Sequence, residues 1–238
     1  MSDPQASQPL PIHAPGAQVS RSRHKRLFLL IALALMTAVV VIGAVLRRLD
    51  GPFGVDNFWQ SLAQSIRTPE LLAFSEFANI YGGGLWAVAL DIAVVLIVWA
   101  ASRRWQAAVF VATAVAVSYL IVSFLKPLFD RARPEDVLVA THDESFPSGH
   151  TSNIAVLTIA VAIVFGRWWL WILAALATLA MAFSRTLLSA HWFSDVVSGA
   201  AIGAGAAVLC WVIVLWFRQR REQRSDRLQE ESRSLAEQ

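Results

Sequence analysis

Six apolar stretches separated by short polar connections restrict this chain to a helical membrane fold. They are residues 27–46, 80–101, 105–125, 148–165, 168–184 and 195–217. Each approaches the ~20 residues that a helix needs to cross a hydrocarbon core of ~30 Å. A content of 56% hydrophobic and 16% charged residues also excludes an ordinary soluble domain. The sequence therefore predicts an all-α polytopic membrane protein with six transmembrane helices.

Polar ends flank one membrane domain in this prediction. Residues 1–26 are expected to form a disordered cytoplasmic tail, residues 27–217 the transmembrane domain, and residues 218–238 a polar cytoplasmic tail. The connection 51–79 carries apolar residues at roughly helical spacing. We therefore expect part of this connection to lie in the membrane interface and to shape lipid access.

The positions of the Lys and Arg residues set the expected orientation, because such residues favour the cytoplasmic ends of membrane helices. Thirteen of the 20 lie on the face that both termini share. Both termini are therefore predicted to be cytoplasmic, in a membrane that we interpret as a bacterial plasma membrane. No basic run is interleaved with exposed aromatic residues outside the membrane flanks, so no nucleic-acid partner is predicted. The sequence also gives no sign of an obligate protein partner.

Three blocks place charged and nucleophilic residues at the ends of the stretches. They are Lys126-(six residues)-Arg133-Pro134, Pro147-Ser148-Gly149-His150 and Ser184-Arg185-(five residues)-His191-(three residues)-Asp195. In an up-and-down bundle of six helices all three blocks lie on one face, which is the extracytoplasmic face in the predicted orientation. A merger of the fourth and fifth stretches across Gly166-Arg167 is the main alternative, and it would separate the third block from the other two.

The residue types in these blocks suit phosphoryl transfer without a metal. Fixed cations can neutralise phosphate oxygens while one histidine attacks and the other protonates the leaving group. Ser148 is a good helix N-cap, and Gly149 lets the backbone approach an anion. His191 and Asp195 are four residues apart, so we expect both on one helical face, with the carboxylate orienting the imidazole. Metal ligation by the histidines and Asp195 is the rival interpretation, and the adjacent cations disfavour it.

The blocks resemble the three signature motifs of the type 2 phosphatidic acid phosphatase superfamily, which includes bacterial lipid phosphatases and vanadium-dependent haloperoxidases. Every signature position matches in order across residues 126–195, and the six spans resemble the bacterial membrane branch. The resemblance implies that His191 forms a phosphohistidine, that Asp195 orients it, and that His150 protonates the leaving alkoxide and then activates water. The phosphate contacts that it implies come from Lys126, Arg133, Ser148, Gly149 and Arg185. Ser184 is expected to pack or bond within the site.

The resulting interpretation is a metal-independent membrane lipid phosphate or diphosphate phosphatase that needs no cofactor. Undecaprenyl diphosphate, phosphatidic acid and phosphatidylglycerol phosphate are the substrates considered, and the sequence does not choose between them. A lipid phosphotransferase with the same site is the nearest alternative. The six spans disfavour a haloperoxidase, and the complete set of catalytic residues disfavours an inactive transporter or scaffold.

Asp91 is an ionisable residue near the middle of the second stretch. A charge at that depth costs ~3 kcal/mol or more, so such a residue normally faces the bundle interior and pairs with a polar group. We expect a structural hydrogen bond there, at a depth too great for contact with the phosphate.

Overall fold

The computed structural model describes residues 15–49, 51–141 and 144–236. Within those ranges it contains eight α-helices and no β-strand. The helices are α1 (Pro15–Leu49), α2 (Gly54–Ser65), α3 (Pro69–Tyr81), α4 (Gly84–Ser102), α5 (Trp105–Phe129), α6 (Gly149–Phe165), α7 (Trp168–Leu187) and α8 (Phe193–Ala236). The predicted all-α membrane fold class is confirmed.

Five helices are long and apolar enough to cross a membrane, namely α1, α4, α5, α7 and α8. The sixth membrane helix, α6, is apolar but shorter, with 17 residues. Helix α1 begins at Pro15, so residues 15–26 of the predicted tail are helical, and Pro is well suited to a first helical turn. Residues 1–14 of that tail lie outside the described residues. At the other end, α8 continues through most of the polar segment 218–238.

Helices α6 and α7 are separate, so the merged span considered above is wrong. Gly166 has a left-handed backbone with φ 63°, and its N–H donates to the Ala162 carbonyl oxygen, which ends α6. Arg167 has an extended backbone and precedes the first residue of α7. The chain therefore reverses within two residues, and the third block returns to the face that holds the other two.

Helices α6 and α8 are in close contact through glycine residues of α8. A Cβ atom on Gly199 would lie 2.4 Å from the Ser148 carbonyl oxygen, and one on Gly203 would lie 2.4 Å from the Ser152 carbonyl oxygen. Small residues four apart allow two membrane helices to approach this closely. The contact places the beginning of α6 beside the beginning of α8, where the Ser148 N–H donates to the Asp195 carbonyl oxygen over 3.1 Å.

Helix α5 extends past the predicted end of its span. The predicted stretch ended at residue 125, but the helix continues through Pro127 to Phe129. Asp130 closes the last turn in a left-handed conformation, and its N–H donates to the Lys126 carbonyl oxygen over 2.9 Å. Proline removes one N–H but keeps a helical φ, so it is accommodated in this final turn.

Helices α2 and α3 cover the end of the bundle formed by residues 130–141, 144–148 and 188–192, which we call the loop end. Their helical structure agrees with the apolar spacing in the 51–79 connection. Arg67, between the two helices, forms a 3.0 Å ion pair with Asp136 and donates through Nε to the Leu187 carbonyl oxygen over 2.9 Å. These contacts hold α2 and α3 against the loops that carry the three blocks.

Candidate active site

A cavity of about 970 Å³ opens at the loop end between α4, α5 and α6. Side chains or backbone from all three blocks line it: Lys126, Arg133, Gly149, His150, Arg185 and His191. Lys126 comes from the last turn of α5, His150 from the first turn of α6 and Arg185 from the last turn of α7. Six of the eight predicted site residues therefore share one cavity, and their chemical roles stay predictions.

The cations of the first and third blocks surround the two histidines. Arg133 Nη1 lies 3.4 Å from His191 Nε2, and Arg133 Nη2 donates to the Glu144 carbonyl oxygen over 3.2 Å. Lys126 Nζ donates to the same carbonyl oxygen, so Lys126 and Arg133 converge. Such an arrangement of charged donors suits the oxygens of a phosphate group.

His150 lies against the turn between α3 and α4. Its Nε2 atom is 3.3 Å from the Asn79 carbonyl oxygen, and Nε2 carries the proton in this contact because a carbonyl can only accept. A Cβ atom on Gly83 would lie 2.6 Å from the same nitrogen, so glycine is needed at this close approach. The Asn79 side chain also accepts from Arg185 Nη1 over 2.5 Å. Asn79 thus contacts both His150 and Arg185, a role that was not predicted from the sequence.

The structure corrects the predicted placement of His191 relative to Asp195. His191 lies in the turn before α8, which begins at Phe193, so the two residues do not share a helical face. Asp195 Oδ2 accepts the Trp192 N–H over 2.9 Å and thereby caps this turn. His191 Nδ1 lies 3.6 Å from Asp195 Oδ2, beyond hydrogen-bond distance but close enough to shorten when substrate binds.

A buried ion-pair network holds the Asp195 carboxylate in place. Arg131 Nη1 donates to Asp195 Oδ1, and Arg131 Nη2 donates to Asp56 Oδ2 over 2.7 Å. Both carboxylates are almost fully buried, with relative exposures of 0% and 1% respectively. Ser145 Oγ donates to Asp195 Oδ2 over 2.5 Å, and Asp56 Oδ1 accepts the Ser194 N–H over 2.8 Å. The network links α2, the loop after α5 and the start of α8.

Asp56 and Arg131 were not predicted as site residues. Arg131 lies inside the first block, between Lys126 and Arg133, and a third cation there could have indicated a role in the site. Asp56 lies among the apolar residues of α2, and a carboxylate in such a pattern could have indicated a buried polar contact.

The two serines of the blocks face the protein rather than the cavity. Ser148 occupies the N-cap position of α6, as predicted, but its Oγ lies 3.1 Å from Thr151 Oγ1 and makes no cap bond. Ser148 is fully buried and does not line the cavity, so its contact with a phosphate stays a prediction. Ser184 Oγ donates to the Ser75 carbonyl oxygen over 3.1 Å, which agrees with a packing role.

The surroundings of His191 favour the neutral imidazole. Burial lowers the pKa of His191 to about 4, Arg185 and Arg133 act in the same direction, and Asp195 opposes them. With Nδ1 directed at a carboxylate, the proton of the neutral ring belongs on Nδ1. Nε2 then presents a lone pair to the cavity.

No group of three or more His, Cys, Asp or Glu side chains suited to a metal ion occurs among residues 15–49, 51–141 and 144–236. That observation does not test whether the protein works without metals and cofactors, so this independence stays a prediction.

Comparison with known proteins finds one matching superfamily and several lipid phosphatases. A sequence model of the PAP2 superfamily matches residues 107–219. The lipid A 1-phosphatase of Rhizobium etli is 31% identical over 116 residues, which cover 42% of this chain and 47% of that protein. The decaprenylphosphoryl-5-phosphoribose phosphatase of Mycobacterium tuberculosis is 36% identical over 110 residues, which cover 43% of this chain and 56% of that protein. The chain thus spans about half the length of these curated relatives.

A solved structure shares the fold. The transmembrane PAP2 type phosphatidylglycerolphosphate phosphatase from Bacillus subtilis superimposes with a TM-score of 0.63 at 20% identity, covering 74% of this chain and 93% of that chain. The region matched by the superfamily model contains the whole of the three blocks, and the resemblance noted from those blocks is confirmed. Through residues 107–219, the chain is thus similar to the PAP2 superfamily.

Proposed function

We propose that this protein is a metal-independent lipid phosphate phosphatase that works through a phosphohistidine at the extracytoplasmic membrane face. The observation that carries the proposal is the convergence of His191, His150 and three cations on one cavity whose other walls are apolar membrane helices. A phosphate group fits the charged end of such a cavity, while the tail of an amphiphile stays among apolar side chains. The similarity to lipid phosphatases supports the same substrate class.

In the proposed mechanism, His191 Nε2 attacks phosphorus in line with the leaving oxygen, and the bond from phosphorus to that oxygen breaks. His150 acts as an imidazolium whose charge the bound phosphate stabilises; it gives one ring proton to the departing alkoxide and becomes neutral. Lys126, Arg133 and Arg185 neutralise the charge that builds on the other phosphate oxygens. Asp195 balances the positive charge that develops on the His191 ring.

The second half of the reaction restores the enzyme. His150, now without the transferred proton, accepts a proton from water, and the water oxygen attacks phosphorus. The bond from phosphorus to His191 Nε2 breaks, and inorganic phosphate is released. An acceptor alcohol in the place of water would instead give a phosphotransferase, and the two outcomes differ only in the product.

The proposal is tested with purified protein in detergent against phosphatidic acid, phosphatidylglycerol phosphate and undecaprenyl diphosphate, with and without EDTA. We expect inorganic phosphate release that persists in EDTA and is inhibited by orthovanadate, which mimics the five-coordinate transition state. Alkaline quenching during turnover of a ³²P-labelled substrate should trap label on the protein in an acid-labile form. Loss of activity in EDTA, or label transfer to an added alcohol in place of phosphate release, would contradict the hydrolase proposal.

A further inference from the structure

The cavity continues beyond the residues that face the phosphate. Its walls extend along α4 and α5, where most of the lining side chains are apolar. They include Val88, Ile92, Val95, Leu96, Val115 and Val122. This part of the cavity matches the hydrocarbon tail of a lipid, which needs no hydrogen bonds.

One polar pair interrupts this apolar wall. Asn153 Nδ2 donates to Asp91 Oδ1 over 3.0 Å, and both residues line the cavity. The sequence-based expectation of a hydrogen bond for Asp91 is thereby confirmed. Asn153 follows His150 by three residues on α6, which corresponds to roughly 4.5 Å along the helix axis. The pair thus lies about one helical turn below the histidine proposed to protonate the leaving group.

Helix packing does not account for a carboxylate at this position. Val98 is the one buried residue in α4, and it lies two turns beyond Asp91 towards the other end of the helix. Asp91 is half-buried, and its Oδ2 atom receives no hydrogen bond from the part of the chain that the structure describes. A second polar pair in the cavity differs, since Ser118 Oγ and Ser152 Oγ satisfy each other over 2.7 Å. Asp91 Oδ2 therefore offers an acceptor to whatever occupies the cavity.

We propose that Asp91 and Asn153 form a selectivity site for a hydroxyl or amide group next to the phosphate of the lipid substrate. Asp91 Oδ2 accepts from the O–H or N–H of that group, while Asn153 holds the carboxylate in place. The inference rests on the proposed function, which puts the phosphate at the histidines. It favours lipid phosphates built on glycerol, a sugar or an amide-linked backbone over polyprenyl phosphates, whose first carbons carry no donor.

The reach of such a substrate fits the spacing of the site. A hydroxyl on the second carbon from the phosphate ester oxygen lies roughly 4 to 5 Å from phosphorus, given covalent bonds of about 1.5 Å. The helical rise between His150 and Asn153 is of the same size. A phosphate held at the histidines therefore brings this hydroxyl level with Asp91, and the acyl chain continues along the apolar wall.

The test uses two non-hydrolysable phosphonates, so that binding is measured without turnover. One is the phosphonate analogue of lysophosphatidic acid, with its free hydroxyl, and the other is the same compound without that hydroxyl. Calorimetry in detergent gives both dissociation constants for the full-length protein. We expect the hydroxyl compound to bind about tenfold more tightly, as for a hydrogen bond to a charged group.

Two variants decide whether Asp91 causes that preference. Asp91→Leu should bring the ratio of the two dissociation constants to about one. Asp91→Asn keeps the link to Asn153 and should leave a ratio of about two, which covers the case in which Asp91→Leu does not fold. Both should leave binding of the compound without the hydroxyl within about twofold of wild type. Thr158→Val is the matched control, because the Thr158 hydroxyl bonds its own helix at the Ile154 carbonyl oxygen and lies outside the cavity lining.

A wild-type ratio near one would overturn the proposal. So would a ratio that stays at its wild-type value in the Asp91 variants that fold. The proposed function fails in a different assay, through absence of phosphate release from hydrolysable lipid phosphates. Failure of the selectivity site and failure of the phosphatase proposal are therefore distinguishable.

Discussion

Helices α6 and α4 face each other across the cavity but are held in the bundle very differently. Helix α6 buries seven of its residues, and its backbone lies against the glycines of α8. Helix α4 buries Val98 alone and otherwise borders the cavity and the surrounding membrane. We call α6, α8 and the turn before α8 the packed side, and α4 the loose side. We infer that the packed side holds His150 and His191 in a fixed geometry, as the proposed catalysis requires, and that the loose side accommodates a lipid tail.

The largest expected effect comes from the packed side. His191→Ala should lower kcat by about 10³-fold or more, because it removes the proposed nucleophile and leaves binding groups in place. Phosphate release from a lipid phosphate in detergent measures this, with thermal unfolding as the check that the variant is folded. Near-normal turnover by a folded variant would rule out His191 as the nucleophile.

Arg131→Met tests whether the packed side depends on the buried network behind His191. The change leaves the carboxylates of Asp56 and Asp195 without their shared partner, so we expect a loss of about 3 kcal/mol in unfolding free energy. In protein that folds, kcat should fall about 10²-fold with little change in KM, because Asp195 is displaced while the cavity cations remain. Arg131→Lys should recover part of both losses. An unchanged kcat would show that the network serves stability alone.

Gly203→Val tests the close approach of α6 and α8 directly. The added side chain meets the Ser152 carbonyl oxygen, so unfolding free energy should fall by about 1 to 3 kcal/mol. Gly54→Ala is the matched control, because a Cβ atom there meets nothing within 4 Å and alanine favours a helix. Thermal unfolding of both variants in one detergent gives the comparison. Equal melting temperatures would contradict the packing described for α8.

Acidification is expected to reveal how firmly the packed side holds His191 neutral. The pKa of His191 is about 4 in the folded protein and 6.5 in the unfolded chain. Between pH 6.5 and 4 the ring is therefore neutral in the folded protein but protonated in the unfolded chain, so unfolding takes up a proton. This residue therefore lowers folded-state stability as the pH falls through that window. NMR of ring-labelled histidine, with His191→Gln to assign the signal, should show no titration of His191 above about pH 5. A midpoint near 6.5 would contradict the assigned environment.

The smallest effect is expected on the loose side. Ile92 lines the cavity from α4 and is 56% exposed, so Ile92→Ala should cost less than about 1 kcal/mol in unfolding free energy. The KM for a long-chain lipid phosphate should rise about twofold, while that for a short-chain phosphate should not change. Steady-state kinetics with the two substrates measures the difference. A large loss of stability would mean that α4 is packed more tightly than its exposure indicates.

The sequence predicted the features that depend on local patterns. The apolar stretches revealed the membrane helices because crossing a bilayer sets both length and composition, and Gly166-Arg167 proved enough to turn the chain. The blocks indicated that Lys126, Arg133 and Arg185 share one site, because all three lie close to the ends of apolar stretches and those ends can be located from the local sequence. Residue spacing could not show that His191 lies before α8, since helix boundaries depend on capping contacts such as the one made by Asp195.

Contacts between distant parts of the chain were not predictable from one sequence. Asp56 and Asp195 are 139 positions apart, and no pattern near either residue shows that Arg131 joins them. Asn79 likewise reaches His150 and Arg185 only because α3 folds back over the bundle. A lone polar residue in an apolar segment was the available signal, and it does not identify its partner.

The Asp56, Arg131 and Asp195 network also has a consequence for biogenesis. Its members are synthesised at different times, because synthesis proceeds from the N-terminus and Asp195 belongs to α8. A nascent chain that has inserted five membrane helices already carries Asp56, Arg131 and His150, but it lacks both His191 and the carboxylate behind it. Insertion of α8 therefore completes the candidate site and gives Arg131 its second carboxylate partner in the same event. Under the proposed function, such partly synthesised chains lack the nucleophile and cannot act on membrane lipids.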